Sequence, residues 1–139
     1  MNQQGRSVET APLASRIQST ILCIEDEEAA LQMRTAILES AGYRVYSART
    51  ANAAIALFIE HKIDLVLSDD FLLGVSGADL TIFMKQVRPN LAVMLVSGSP
   101  PLPRAIQMQM DGIIQKSGSA EELLDRIQMV LDNRSSKIT

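Results

Sequence analysis

Tryptophan is absent, and the 139 residues include only one cysteine, one histidine, two tyrosines and three phenylalanines. A lone Cys23 cannot close an internal disulfide, so a disulfide-stapled secreted scaffold is excluded. His61 would have to do everything in a phosphohistidine carrier, which argues against that function. Long apolar runs are missing too: Ala53 to Ile59, seven residues, is among the longest, whereas a bilayer span needs roughly 18. No charged stretch followed by an apolar one marks a secretory leader. Basic excess is also lacking. With 13 Lys and Arg against 16 Asp and Glu, net charge -3 and pI near 5.1, no field holds a phosphate backbone, and direct nucleic-acid binding is not expected. These absences point to a cytosolic (cytoplasmic) protein with no membrane segment.

What is present is a globular composition, 47% apolar and 21% charged. A chain of this length makes one ordinary domain that buries roughly 68% of its unfolded surface. The expected organisation is a flexible extension over residues 1–19, rich in Gln, Ser and Thr, a folded domain over 20–132, and a polar tail over 133–139. That leaves no room for a separate effector domain.

Within the domain, short apolar runs alternate with helical patterns. The runs are Ile21 to Ile24, Tyr43 to Ser47, Leu65 to Ser68, Leu91 to Ser97 and Ile113 to Gln115. The helical segments are Glu28 to Ala41, Ala51 to Glu60, Ala78 to Val87, a short one near Arg104 to Met110, and Ala120 to Leu131. Leu80, Phe83, Met84 and Val87 stand at i, i+3, i+4 and i+7, and Leu123, Ile127, Val130 and Leu131 do much the same, each set predicting one apolar stripe. Ser119 with Glu122 reads as a capping box, and Gly42 as a left-handed helix end. Strands that are continuously apolar have both faces covered. The fold class is therefore α/β, a doubly wound five-stranded parallel sheet of (βα)5 type.

In such a sheet, ligands bind where loops leave the carboxyl ends of the strands. Those ends are polar here: Glu25-Asp26-Glu27-Glu28, Asp69-Asp70, Ser97-Gly98 and Lys116. If the strands are neighbours, Glu25, Asp26 and Asp69 converge and repel one another. A hard divalent cation removes that conflict, and Mg²⁺ favours one or two carboxylates together with phosphate oxygens. A lysine and a hydroxyl on the same rim suit a phosphoryl group, and a carboxylate there can itself be the nucleophile. Two bland alternatives stand beside this: a solvated acidic turn at a helix N-terminus, and a turn or cap pair at Asp69-Asp70. His61 reads as a surface residue near a helix end and Cys23 as a small buried hydrophobe. The methionines read as core, with an adaptable docking surface near Met108 as the lesser option.

Taken together, ILCIEDEEAA, DLVLSDDFLLGVSG, VMLVSG and IIQKSG resemble the acidic pocket, acceptor loop, switch strand and lysine strand of response-regulator receiver domains of the CheY-like, flavodoxin-like fold. The resemblance covers about Thr20 to Leu131. It implies two-component signalling, a phosphorelay step in which Asp69 accepts a phosphoryl group from a histidine kinase or phosphotransfer protein. It also implies that Glu25, Asp26, Asp69 and the Phe71 carbonyl hold Mg²⁺, that Ser97 is the switch hydroxyl, and that Lys116 pairs with the phosphoryl oxygens. Glycines five and eight residues beyond the acceptor match Gly74 and Gly77 when counted from Asp69. Counting from Asp70 finds Val75 and Ala78. Adjacent strand side chains point to opposite faces, so only one of the two acids should face the pocket.

Three features depart from the family. Ser117-Gly118 follow Lys116 where a cis proline is usual, removing that slow lock. Ile113 replaces the aromatic switch residue. Pro100, Pro101 and Pro103 crowd the interval to Lys116, so the fourth helix should be short, shifted or missing. Output is accordingly expected through an altered surface there or through a different face altogether, by contact with a downstream protein, as a stand-alone receiver or one step of a phosphorelay; a homodimer stays open. The rival functions are a non-phosphorylated pseudo-receiver and a small Mg²⁺-dependent phosphatase. The latter is weakened by Phe71 standing where a second carboxylate would be.

Overall fold

The structure, a computed structural model, describes residues 19–98 and 101–138; the expected extension over 1–19 lies, Ser19 apart, outside them. The elements are β1 (Thr20–Ile24), α1 (Glu28–Ser40), β2 (Arg44–Ala48), α2 (Ala51–Glu60), β3 (Leu65–Asp69), β4 (Phe71–Leu72), β5 (Val75–Ser76), α3 (Gly77–Val87), β6 (Ala92–Ser97), α4 (Arg104–Gln107), β7 (Gly112–Gln115) and α5 (Ala120–Ile138).

Five strands form one parallel sheet in the order β2-β1-β3-β6-β7. Alternation along the central strands sorts their side chains into two cores. Ile21, Cys23, Leu65, Leu67, Met94 and Val96 pack with Leu31 and Leu38 of α1 and with Leu123, Ile127, Val130 and Leu131 of α5. Leu22, Ile24, Val66, Val93 and Leu95 pack on the other face with Ala54 and Phe58 of α2 and Ala78, Leu80 and Met84 of α3. Each fully buried aliphatic side chain contributes roughly 1.5–3 kcal/mol, so this two-sided burial is what sets the register of the pocket-bearing strands.

The helix starts follow local chemistry. Thr50 Oγ1 and Ser76 Oγ accept the N–H groups of Ala53 and Asp79, both at 3.1 Å. Ser119 and Glu122 form the expected reciprocal cap, at 3.1 and 2.9 Å. Gly42, with φ 99°, ends α1 in the left-handed region.

Two expectations need correction. The α3 stripe is rotated: Leu80 and Met84 are buried, but Phe83 and Val87 are exposed, and Ala78 and Thr81 complete the buried face. Thr81 tolerates that place because its hydroxyl donates to the Gly77 or Ala78 carbonyl, at 2.9 and 3.1 Å. Residues 133–138, expected as tail, continue α5. Apolar periodicity stops at Leu131, but Arg134 reaches the Asp64 carbonyl and carboxylate at 3.0 and 3.1 Å and ties the added turn to the loop before β3. The fourth helix, expected to be short because of the prolines, is a single turn, Arg104–Gln107, in keeping with that expectation. Finally, β4 and β5, two residues each, pair antiparallel as a small ribbon that single-sequence periodicity is too short to register.

Candidate phosphoacceptor site

Strand order reverses between β1 and β3, so a crevice opens at their carboxyl ends. Glu25 and Asp26 leave β1 there, and Asp69 is the last residue of β3. One carboxylate oxygen from each of the three lies within 4.8 Å of the others. Glu25 and Asp69 are only 2% and 3% exposed. Three oxygen donors this close, with no sulfur or imidazole among them, fit a hard cation such as Mg²⁺.

Lys116 follows β7 and places Nζ 3.2 Å from Asp69 Oδ1. Partial burial works against its charge, but the hydrogen bond to Asp69 and the charges of Asp69, Glu25 and Asp70 outweigh it. The Lys116 ammonium is thereby held above the ordinary lysine pKa. Its backbone N–H donates to the Ser97 carbonyl at 2.8 Å, which joins the lysine rim to the end of β6.

The loop after Asp69 is sterically determined. A Cβ at Gly77 would lie 1.8 Å from the Asp69 carbonyl oxygen, so only glycine fits. Gly77 N–H donates to the Asp70 carbonyl at 2.9 Å, and Gly74 takes φ 73° in the turn between β4 and β5. It is the carbonyl of Asp69, eight residues earlier, that Gly77 closes upon.

Ser97, 2% exposed, is on the rim, but its hydroxyl is not turned to Asp69. It donates to Asp70 Oδ2 at 3.2 Å or to the Gly98 carbonyl at 3.1 Å. Phe71 lies in β4 and is 65% exposed. Ile113, at the aromatic position of the family pattern, packs partly buried against the α2/α3 core.

Two cations escaped sequence reasoning. Arg34 of α1 lies 3.1 Å from Glu25 Oε1, its side chain 12% exposed, while Glu25 Oε2 accepts the Glu27 N–H at 3.0 Å. Arg49, just past β2, donates from Nε and Nη2 to the Asp26 carbonyl at 3.2 and 3.0 Å. Arg49 follows an apolar run and was findable as a strand-end residue. Arg34 sits mid-helix with no such signal. Cys23 behaves as expected: burial, against the pull of Arg34, pushes its thiol up to about 12, so it stays neutral.

A family model described as the response regulator receiver domain matches residues 21–128. The chain belongs to that family. The phosphate regulon transcriptional regulatory protein PhoB of Pseudomonas aeruginosa is 30% identical over 120 residues, covering 83% of this chain and 52% of PhoB. This receiver thus spans about half the length of the curated relatives it matches. Its fold superimposes on a CheY-like receiver domain protein from Methanospirillum hungatei with TM-score 0.79 and 28% identity, covering 86% of this chain and 98% of that one. It also superimposes on the response regulator TrrA of Thermotoga maritima, solved with Mg²⁺-BeF, with TM-score 0.74 and 21% identity over 81% of this chain and 99% of that one; that likeness concerns the fold. Among the described residues of the receiver, no helix is long and apolar enough to cross a membrane.

Proposed function

We propose that this receiver is a phosphorylation switch in which Asp69 takes a phosphoryl group from a phosphohistidine of a histidine kinase or phosphotransfer protein. One observation carries the reading: a buried strand-end carboxylate stands 3.2 Å from a lysine and within 4.8 Å of two further carboxylates. Glu25, Asp26, Asp69 and the Phe71 carbonyl are the groups we assign to Mg²⁺, which when bound offsets the charge that gathers on the transferring group. The carboxylate of Asp69 attacks phosphorus, the histidine nitrogen leaves with the bonding pair, and Lys116 pairs with a phosphoryl oxygen. Replacing the singly charged carboxylate by an acyl phosphate of about -1.5 to -2 charge adds up to about one negative charge beside Lys116 and Ser97 and biases a two-state equilibrium. Output passes by contact to a downstream protein, through the rebuilt surface around α4, in the cytosol. The role is a self-assisting acceptor, not that of a turnover enzyme.

The test is incubation with acetyl phosphate and Mg²⁺, comparing the parent with Asp69→Ala by intact mass and peptide mapping. Magnesium-dependent addition at Asp69, lost in the variant, supports the switch. Addition at Asp70 overturns the register. No addition favours a non-phosphorylated interaction module, and rapid turnover of unrelated phosphoesters favours a phosphatase.

A further inference from the structure

Asp70 is held more firmly than a loop residue needs to be. Its N–H faces the Val96 carbonyl at 3.0 Å and Asp69 Oδ1 at 3.1 Å, while its own carbonyl accepts the Gly77 N–H at 2.9 Å. Both flanking peptides are therefore pinned, and the carboxylate reaches the end of β6. There it meets the Ser97 hydroxyl at 3.2 Å. Ser97 is equally constrained, since it is 2% exposed and its carbonyl accepts the Lys116 N–H at 2.8 Å. A single rotation about χ1 is the freedom left to its hydroxyl. Donation to a carboxylate is among the stronger hydrogen bonds a serine makes, and the alternative acceptor is the Gly98 carbonyl at 3.1 Å, not Asp69.

We propose that Asp70 is a positioning residue that latches the Ser97 hydroxyl away from Asp69 in the unmodified receiver, and so sets how readily the phosphorylated form is reached and how long it lasts. The proposal rests on the assignment of Asp69 as acceptor and Ser97 as switch hydroxyl. A phosphoryl group on Asp69 must win the hydroxyl from Asp70, so only the unlatched fraction of molecules makes the full set of contacts, and apparent affinity for a phosphoryl mimic falls by that fraction. The Asp70 charge also repels the phosphoryl group directly, and this contribution does not depend on Ser97.

The two contributions separate in a double-mutant cycle. Beryllofluoride binding at saturating Mg²⁺ is followed by ¹⁹F NMR for the parent, Asp70→Ala, Asp70→Asn, Ser97→Ala and the Asp70→Ala/Ser97→Ala pair. Asp70→Ala tightens binding about tenfold in the parent but less than about threefold in the Ser97→Ala background, where charge alone is left. Asp70→Asn, which loses the charge but keeps an acceptor oxygen, falls between. Without any ligand, the ¹³Cβ shift of Ser97 moves in Asp70→Ala, which reports release of the hydroxyl; thermal melting checks that the fold is retained. Equal tightening in both backgrounds, or an unmoved Ser97 shift, overturns the latch while leaving the acceptor assignment standing. If neither the parent nor Asp70→Ala binds beryllofluoride, the acceptor reading fails and the latch with it.

Discussion

Two connections leave the carboxyl edge of the sheet side by side, and they are built to different standards. From β3 to α3 the chain is fixed at close quarters: the Ser68 hydroxyl donates to the Asp69 carbonyl at 2.8 Å, Asp70 is bonded through both N–H and carbonyl, and Gly77 leaves no space for a side chain. From β6 to β7 the chain makes one four-residue turn, α4, preceded by Pro103 without a side-chain cap and with no buried residue of its own. Leu102 and Ile106 only lean on the α2/α3 core, and Met108 is 74% exposed. The first connection carries Asp69 and is shaped by the close approach of Gly77 to its carbonyl. The second carries surface, where sequence drift is cheap.

The sharpest way to break this contrast is Gly77→Ala. The added methyl overlaps the Asp69 carbonyl, so a loss of about 4 kcal/mol or more, or failure to fold, is expected in urea denaturation. A loss under about 1 kcal/mol would show that the acceptor loop gives way as easily as α4.

Next in size is Arg34→Met, which strands Glu25 in a nearly dry site. Stability without Mg²⁺ should fall by about 3 kcal/mol, while the rise in melting temperature on adding Mg²⁺ should exceed that of the parent, because a competing cation has left the pocket. A smaller Mg²⁺ response would mean that Arg34 serves mainly to orient Glu25.

Alkaline titration probes the same end more gently. The thiol of Cys23 is pushed from 9.0 to about 12 by burial, so across that interval the unfolded chain releases a proton that the folded one retains, and stability falls as pH rises. Lys116, also raised, adds a loss of the same sign: its contribution is complete below the ordinary lysine pKa and disappears as pH climbs through the folded value. Because Lys116 is half exposed, its share should be slight. Cys23→Ala should flatten the decline in denaturation midpoints between those pH values, leaving the lysine part.

The smallest effect is expected at Ala105→Gly in α4. The residue is exposed, and a glycine there should cost less than about 1 kcal/mol with acetyl phosphate labelling of Asp69 unchanged. A drop in labelling would couple α4 to the pocket and erase the distinction between the two connections.

Most of the sheet and the pocket could be read from the chain because their signals are local. Apolar runs ending in Glu25-Asp26, Asp69, Ser97 and Lys116 mark strands and the polar ends that gather at the sheet's carboxyl edge, and Gly77 stands where the chain closes on the Asp69 carbonyl. Other features resisted for a shared reason. Phe83 and Val87 match the helical period as well as Leu80 and Met84 do, and only the position of α3 against the sheet leaves them outside. Arg134 extends α5 through a partner 70 residues away in Asp64.

The sequence by itself determined the order of elements and which carboxylates stand at the strand ends, since these follow from periodicity and capping within a few residues. Tertiary structure alone decided who pairs with whom on the rim. Glu25 has Arg34, Asp26 is gripped by Arg49, and the Ser97 hydroxyl belongs to Asp70, because hydrogen-bond partners separated by 9 to 27 residues are chosen by how strands and helices stack, and no local pattern encodes that distance.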